Sequence, residues 1–320
     1  MARLKHSPSG DTIFLKAFHR FGRLAFSVDT LLNYPEITRI HAVVEWSGNE
    51  WVLRDLSRNG VWINQQRIPP REAVSITAGD IIVFSELNPE PFEVISDDKP
   101  FDLLIPDDPA GHDAIRLRNY HFLPNASSPE TIIYFDSEQY RWCAENIHLR
   151  VLQPLNDGEI ITIGDSTWRM FKASVDSEHT LDLHSQETAS LEYIFSLSLD
   201  EELAELKVKN QHTTLDLDVR SHHYLTVLLA RYRLQDMQEA FEEDVQGWVS
   251  MKQLSKDLGM SEQHVNIQIH RARKQFVECI EDKMAAQMLI ERKRGKVRFG
   301  GKHFTILKGS NMESSMPMSA

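Results

Sequence analysis

Cysteine is scarce in this chain. The two present, Cys143 and Cys279, lie far apart, and neither sits in metal-ligand spacing. That excludes a disulfide framework and a thiolate metal cluster, and it fits a reducing cytosol. Long apolar runs are missing as well, so no segment reads as a membrane span. Met1 to Asp11 lacks the apolar stretch of a secretory signal. Positive charge is in deficit, with 35 Lys and Arg against 47 Asp and Glu and a net charge of -12. Such a chain does not coat nucleic acid or membrane through its overall charge. Catalytic signatures are absent too: no GxGxxG, HExxH, GxSxG or kinase loop occurs, and Gly295 to Lys302 fails the P-loop spacing. The 14 histidines form no ligand set. The expectation is a protein that is not an enzyme and needs no cofactor or metal.

What is present points to several domains, because 320 residues exceed one ordinary core. Residues 1–96 read as short β-branched and aromatic strands: Ile13–Leu15, Ala42–Trp46, Trp51–Arg54, Val61–Ile63 and Ile81–Phe84. Ser47-Gly48-Asn49-Glu50 and Gly79-Asp80 supply turns between them. The spacing predicts an antiparallel β-sandwich. Residues 97–173 are again strand-rich and echo the first segment. Ile132 to Trp142 follows the pattern of Val43 to Val52, and Asn156 to Ile163 that of Thr77 to Phe84. This predicts a degenerate repeat of the sandwich, or half of one. The polar stretch 174–190 reads as a linker, in which Asp182-x-His184 is a solvated pair. From Leu191 the texture is mixed α/β. Strands at Tyr193–Leu199, Ala204–Val208 and Thr214–Leu217 lead to helices at Ser221–Tyr232, Met251–Leu258 and Glu262–Lys283. A hairpin over Arg292–Leu307 and a flexible tail, 309–320, complete the pattern.

Three stretches at strand ends carry chemistry: Phe21-Gly22-Arg23, Thr38-Arg39-Ile40-His41 and Ser57-Arg58-Asn59-Gly60. They collect guanidinium groups, a hydroxyl and a side-chain amide without a nucleophile or an acid/base pair. Guanidinium offers a planar donor fork to phosphate, so the set suits an oxyanion that is bound and not transformed. The same arginines could instead pair with acids such as Asp55 and brace the loops. In order and spacing, these stretches together with Asn64 and Gly79-Asp80 resemble a forkhead-associated (FHA) domain, a β-sandwich that binds phosphothreonine peptides. The resemblance implies that Arg23 and Thr38 hold the phosphate, that Arg39 and Arg58 flank it, and that Asn59 holds the peptide backbone. It gives Gly22, His41 and Gly60 structural roles. Thr38 stands where serine is commoner, Val61 where threonine usually follows Asn-Gly, and Gln65-Gln66 where the next turn usually has glycine. The echo at 97–173 has no counterpart to the three stretches.

At 100° per residue, the helix from Glu262 puts Val265, Ile269, Ala272 and Phe276 on one stripe, which should face the core. Gln263, Asn266, Ile267, His270, Arg271 and Lys274 fall opposite, with Arg273 beside them. Amides and arginine can read base edges, isoleucine can touch a thymine methyl, and lysine meets phosphate. From Ser261 to Lys308 eleven basic residues stand against five acidic ones, a local reversal of the overall charge. The element order of 191–308 resembles the winged-helix output domain of OmpR/PhoB-type response regulators. Val265 to Lys274 matches its recognition helix and Leu289 to Phe299 its wing. The resemblance implies contacts to double-stranded DNA from the helix residues just named and from Arg294, Lys296 and Arg298. An acidic insertion, Asp236 to Gln246, departs from that pattern, and no receiver domain is recognisable. A solvated basic helix, or a winged helix used for protein contact, fits the same residues, and Ile267 could equally serve a homodimer. The expectation is a cytoplasmic regulator with two partners, a phosphothreonine-containing protein and DNA, and no membrane. A phosphothreonine-dependent adaptor is the alternative.

Overall fold

A computed structural model describes residues 1–87, 89–108, 112–137, 139–149, 151–173, 191–210, 213–280, 285–293 and 295–316. The expected linker 174–190 with Asp182 and His184, the expected helix end at Lys283, Arg294 of the expected wing, and the last four residues lie outside the described residues. By contacts the chain divides into two compact units: Met1–Leu117 with Asp157–Ile161 and Ser166–His179, and Arg118–Asn156 with Thr162–Asp165 and Thr180–Ala320. No helix among the described residues is long and apolar enough to cross a membrane.

In the first unit, alternation of apolar and polar residues makes strands with one face to a core. A five-stranded sheet orders Thr30–Leu31, Phe18–Gly22, Ala42–Trp46, Trp51–Asp55 and Ala73–Ile76. A six-stranded sheet orders Thr12–Phe14, Arg3–His6, Pro91–Ser96, Ile81–Val83, Trp62–Ile63 and Gln66–Arg67. Leu4, Phe21, Val44, Leu53, Ile82 and Phe92 belong to one buried core between them, which is the packing of a β-sandwich. The expected hairpin turn forms, with Trp46 opposite Trp51 and the Ser47 amide donating to the Glu50 carbonyl at 2.9 Å. Val61, at the position where threonine is usual, is fully buried in this core. The hairpin joining Trp62–Ile63 to Gln66–Arg67 has Asn64 at φ 49° and Gln65 at φ 69°. It is a two-residue turn with both central residues left-handed, so Gln65 occupies a conformation that favours glycine. Asn64 pins the turn: its Nδ2 donates to Asp80 Oδ1 at 2.7 Å, and its Oδ1 accepts from the Ile81 amide at 2.9 Å.

The pairing of this sandwich recurs downstream. One four-stranded sheet orders Ile115–Arg116, Leu103–Pro106, Ser166–Phe171 and Ile160–Ile163; another orders Tyr120–Leu123, Thr131–Asp136, Arg141–Asn146 and Val151–Leu155. Leu104 pairs with Met170 as Leu4 pairs with Val94. The turn bonds recur as well. Gly79 donates to the Val94 carbonyl and the Val94 amide to Asp80; Gly158 donates to Met170 and the Met170 amide to Glu159, all at 2.8 Å. Among the described residues, Thr30–Leu31, Trp62–Ile63 and Gln66–Arg67 have no counterpart in the second set.

In the second unit, a five-stranded sheet orders Thr214–Val219, Ala204–Lys209, Glu192–Leu197, His303–Lys308 and Asn311–Met316. Helices α1 (Ser221–Gln238), α2 (Met251–Leu258), α3 (Glu262–Ile280) and α4 (Ala286–Leu289) share a core with it. Ser250 caps α2 by accepting from the Gln253 amide, and Gly259 ends it at φ 64°, a conformation glycine adopts without steric cost. Val265, Ile269, Ala272 and Phe276 of α3 are buried in that core, as the periodicity predicts. Val249–Ser250, Lys296–Phe299 and Ile290–Lys293 make a three-stranded sheet. Two boundaries differ from expectation. His303–Lys308 does not belong to the hairpin; it leaves it to pair in parallel with Glu192–Leu197. The expected flexible tail is a strand over Asn311–Met316, turned back on His303–Lys308 at Gly309, where φ is 58°. Polar, methionine-rich residues hid an edge strand whose outer face needs no apolar alternation.

Candidate functional site

Arg23, Thr38, Arg39, Arg58 and Asn59 come from three separate loops and line one open depression of about 830 Å³. The loops are held by backbone bonds. The Arg23 amide donates to the Thr38 carbonyl at 3.0 Å and the Leu24 amide to the Arg39 carbonyl at 3.2 Å. This close approach requires glycine before Arg23, because a Cβ at Gly22 would collide with the Arg39 carbonyl oxygen. Arg23 Nε donates to the Ile37 carbonyl at 3.0 Å, which fixes the stem of the guanidinium and leaves its terminal nitrogens for another partner. Asn59 Nδ2 donates to the Glu36 carbonyl at 2.6 Å and ties the third loop to the second.

His41 is fully buried and braces the pocket from below. Its Nδ1 accepts from the Thr38 amide at 3.0 Å, so Nε2 carries the proton and donates to the Gly60 carbonyl at 3.3 Å. Burial pushes its pKa down, with the Gly60 bond opposing, and the ring is neutral at pH 7. Ser57 Oγ accepts from the Gly60 amide at 2.7 Å, and buried Asp55 accepts from the Ser57 amide at 2.8 Å. Asp55 thus meets the Ser57 amide and pairs with none of the pocket arginines, which line the depression. The Thr38 hydroxyl donates to the Ile40 carbonyl at 2.8 Å. The arrangement offers cations, a hydroxyl and an amide on a rigid rim, which suits a bound phosphate group.

Residues 19–85 match the family model of the FHA domain. The N-terminal sandwich is an FHA domain. A structure of Mycobacterium tuberculosis EmbR in complex with a low-affinity phosphopeptide is 33% identical over 31% of this chain and 25% of that one, with a TM-score of 0.27. The match therefore spans a quarter of the EmbR chain. An FHA domain of an Arabidopsis thaliana hypothetical protein is 24% identical over 31% of this chain and 87% of that one, at 0.28. The N-terminal FHA domain of S. cerevisiae RAD53P, solved with a phosphothreonine peptide, is 20% identical over 30% and 93%, also at 0.28. No curated protein matches the chain. Beyond the FHA domain, the second unit carries the other residues assigned from the sequence.

That assignment placed a polar face of α3 in solvent, and the structure corrects it. Asn266, His270 and Arg273 are buried. The sheet containing Tyr120–Leu123 and Thr131–Asp136 lies in the same unit, and its Tyr120, Phe122, Ile132 and Tyr134 pack with Val277 and with Ile267. Glu145 on the Arg141–Asn146 strand accepts from Asn266 Nδ2 at 2.7 Å and from His270 Nε2 at 3.2 Å, with Arg292 Nη1 at 3.3 Å. Burial disfavours the Glu145 carboxylate, but the bond from His270 and its charge, then the Arg292 charge and the Asn266 bond, outweigh it and hold its pKa down to about 2. Complete burial pushes His270 down, opposed by its bond to Glu145 and by that carboxylate's charge; its Nε2 donates to Glu145, and the Arg292 guanidinium is a permanent cation beside the pair. Arg273 donates twice to the Ile290 carbonyl, at 2.9 and 2.6 Å, and Arg271 to the Ala126 carbonyl at 2.8 Å. Lys274 lies over the Phe122 ring, 5.4 Å from its centre. Gln263 lines a cavity of about 460 Å³ beside the same group. On the hairpin, Arg298 pairs with Glu291 at 2.8 Å and donates to the Glu243 and Asp244 carbonyls of the acidic insertion, while Lys296 is exposed. Glu145 was not anticipated. Its signal in the sequence is a carboxylate following Trp142, Cys143 and Ala144 on a strand where apolar residues prevail.

Proposed function

We propose that the chain is a phosphothreonine-responsive transcription regulator of the cytoplasm, in which the FHA domain binds a phosphoprotein and residues 191–308 act as a winged-helix DNA-binding domain. The observation that carries the first half is the convergence of Arg23, Thr38, Arg39, Arg58 and Asn59 on one depression. Arg23 and the Thr38 hydroxyl take the phosphate oxygens, Arg39 and Arg58 add charge from the rim, and Asn59 meets the peptide backbone. The reading assigns binding and no turnover to this site. Arg23→Ala is expected to weaken a phosphothreonine peptide by roughly 2–5 kcal/mol, the usual cost of removing one partner of such a pair. Fluorescence anisotropy with phosphorylated and unphosphorylated forms of one peptide checks this, and undiminished binding by the variant rejects the pocket.

The second half is supported by the element order from Glu192 to Phe299, three strands, α1, a short strand, α2, α3, the single turn of α4 and a hairpin, and by the local basic surplus. Retention of genomic DNA fragments that falls steeply with salt is the expected result. A phosphothreonine-dependent adaptor is favoured instead by the burial of Asn266 and His270, because a face already used for protein contact need not read bases. Capture of DNA fragments with and without phosphopeptide separates the two.

A further inference from the structure

The second set of strands keeps the register of the FHA sheet but changes the chemistry of one face. In the FHA domain, Arg20 pairs with Val43 and Val43 with Arg54; in the second set Phe122 pairs with Ile132 and Ile132 with Glu145. Likewise Glu45 corresponds to Tyr134, each two pairs further along and so on the same face. The FHA face is thus a charged one, with Arg54 ion-paired to Glu45 at 2.6 Å, and such a face is stable in water. Its counterpart carries Phe122, Ile132 and Tyr134 around the Glu145 carboxylate, and that face is covered by α3. Among its described residues the second set also lacks the pocket. The strand end that holds Gly22-Arg23 in the FHA domain holds Pro124-Asn125, since the Glu130 amide donates to Leu123 as the His41 amide donates to Phe21. A module without its ligand loops and with an apolar outer face is built to hold a partner surface, and in this molecule the surface it holds is α3.

We propose that the sheet Tyr120–Leu155 is an inhibitory cover that occupies the nucleic-acid face of α3, with Glu145 standing where nucleic-acid acceptors would stand. The inference rests on the DNA-binding reading of 191–308. Glu145 takes the two donors, Asn266 and His270, that would address base edges, and pairs with Arg292, which would address phosphate. Arg271 is taken by the Ala126 carbonyl and Lys274 by the Phe122 ring. A helix in this state cannot enter a major groove, which must admit the whole helix and its side chains. DNA therefore binds only the fraction of molecules in which the cover has lifted, and the apparent affinity is reduced by that fraction.

Cys143 provides a reporter that does not depend on DNA. It is fully buried beneath α3 among Tyr134, Ile267 and Val277, and it meets a thiol reagent only when the cover lifts. In full-length protein with Cys279→Ser, two variants loosen the cover without introducing a new cation. Glu145→Gln removes the charge facing Arg292, and Tyr134→Ala removes the ring 4.9 Å from His270. Both are expected to speed Cys143 alkylation and to tighten binding of short random-sequence DNA duplexes, each by about tenfold, with the cooperative melting of the FHA domain retained. Equal DNA affinity in wild type and in variants whose Cys143 is opened overturns the inhibition and leaves the DNA reading standing. Opened variants that bind no duplex overturn the DNA reading and the inhibition with it. Unchanged Cys143 reactivity in both variants overturns the cover itself.

Discussion

At the scale of single residues, the pocket is a set of constraints more than a set of charges. Arg23 can present its terminal nitrogens because Gly22 lets two backbones touch and because Ile37 holds Nε. His41 works as a neutral bridge between two loops, a role the family resemblance states only as structural. The cost of departing from the family pattern is also local. Gln65 at φ 69° pays the left-handed penalty of a side chain carrying Cβ. Gln65→Gly is expected to stabilise the domain by about 0.5–1 kcal/mol, less the entropy glycine adds to the unfolded chain. Urea denaturation of the two proteins measures the difference, and a lower midpoint for the glycine variant contradicts the account. Peptide binding should not change, because Gln65 does not line the depression.

At the scale of elements, what was legible in the sequence and what was not divides along period and partner. The strands Ala42–Trp46 and Trp51–Asp55, α2, and the core stripe of α3 are all local patterns, and they stand where the residues place them. The five pocket residues were legible because they sit in short motifs of fixed order. The other face of α3 was not. A helical wheel separates core from non-core, but it cannot tell water from a second protein surface arriving from 120 residues earlier. A half-buried amide bridge escaped for the same reason. Gln275 of α3 accepts from His222 at 2.7 Å and from His223 at 3.0 Å, and donates to the Leu217 carbonyl at 2.6 Å. It joins α3 to the start of α1 and to the sheet, with both histidines buried. Gln275→Ala leaves those partners unsatisfied and is expected to cost roughly 1–3 kcal/mol. Thermal melting of the second unit should show the loss, while the FHA transition stays in place.

At the scale of the whole molecule, the buried histidines give stability a definite pH dependence. Burial is the leading cause that pushes His19, His121 and His222 each down to about 4, and it also lowers His41, His223 and His270. The unfolded chain takes up protons near pH 6.5, while the folded chain does not until near 4. Between those values the unfolded state binds more protons, so stability rises with pH and is lost on acidification. Each such histidine contributes a slope of up to about 1.4 kcal/mol per pH unit. The denaturation midpoint is expected to fall steadily from pH 7 to pH 5, and a flat profile would show that these rings charge within the fold. The Glu145 carboxylate acts in the same direction but lower, losing its contribution only as pH drops from the ordinary carboxylate range toward 2.

The face built around Tyr134 has a consequence for biosynthesis. The sheet Tyr120–Leu155 leaves the ribosome roughly a hundred residues ahead of α3, which is on the order of ten seconds at ordinary elongation rates. The strand Glu192–Leu197 waits as long for its parallel neighbour His303–Lys308. Throughout that interval a nascent chain displays Phe122, Ile132 and Tyr134 with nothing to shield them, the kind of surface that holdase chaperones grip. Pausing translation between the two segments should therefore prolong chaperone occupancy, and supplying the missing helix is what ends it.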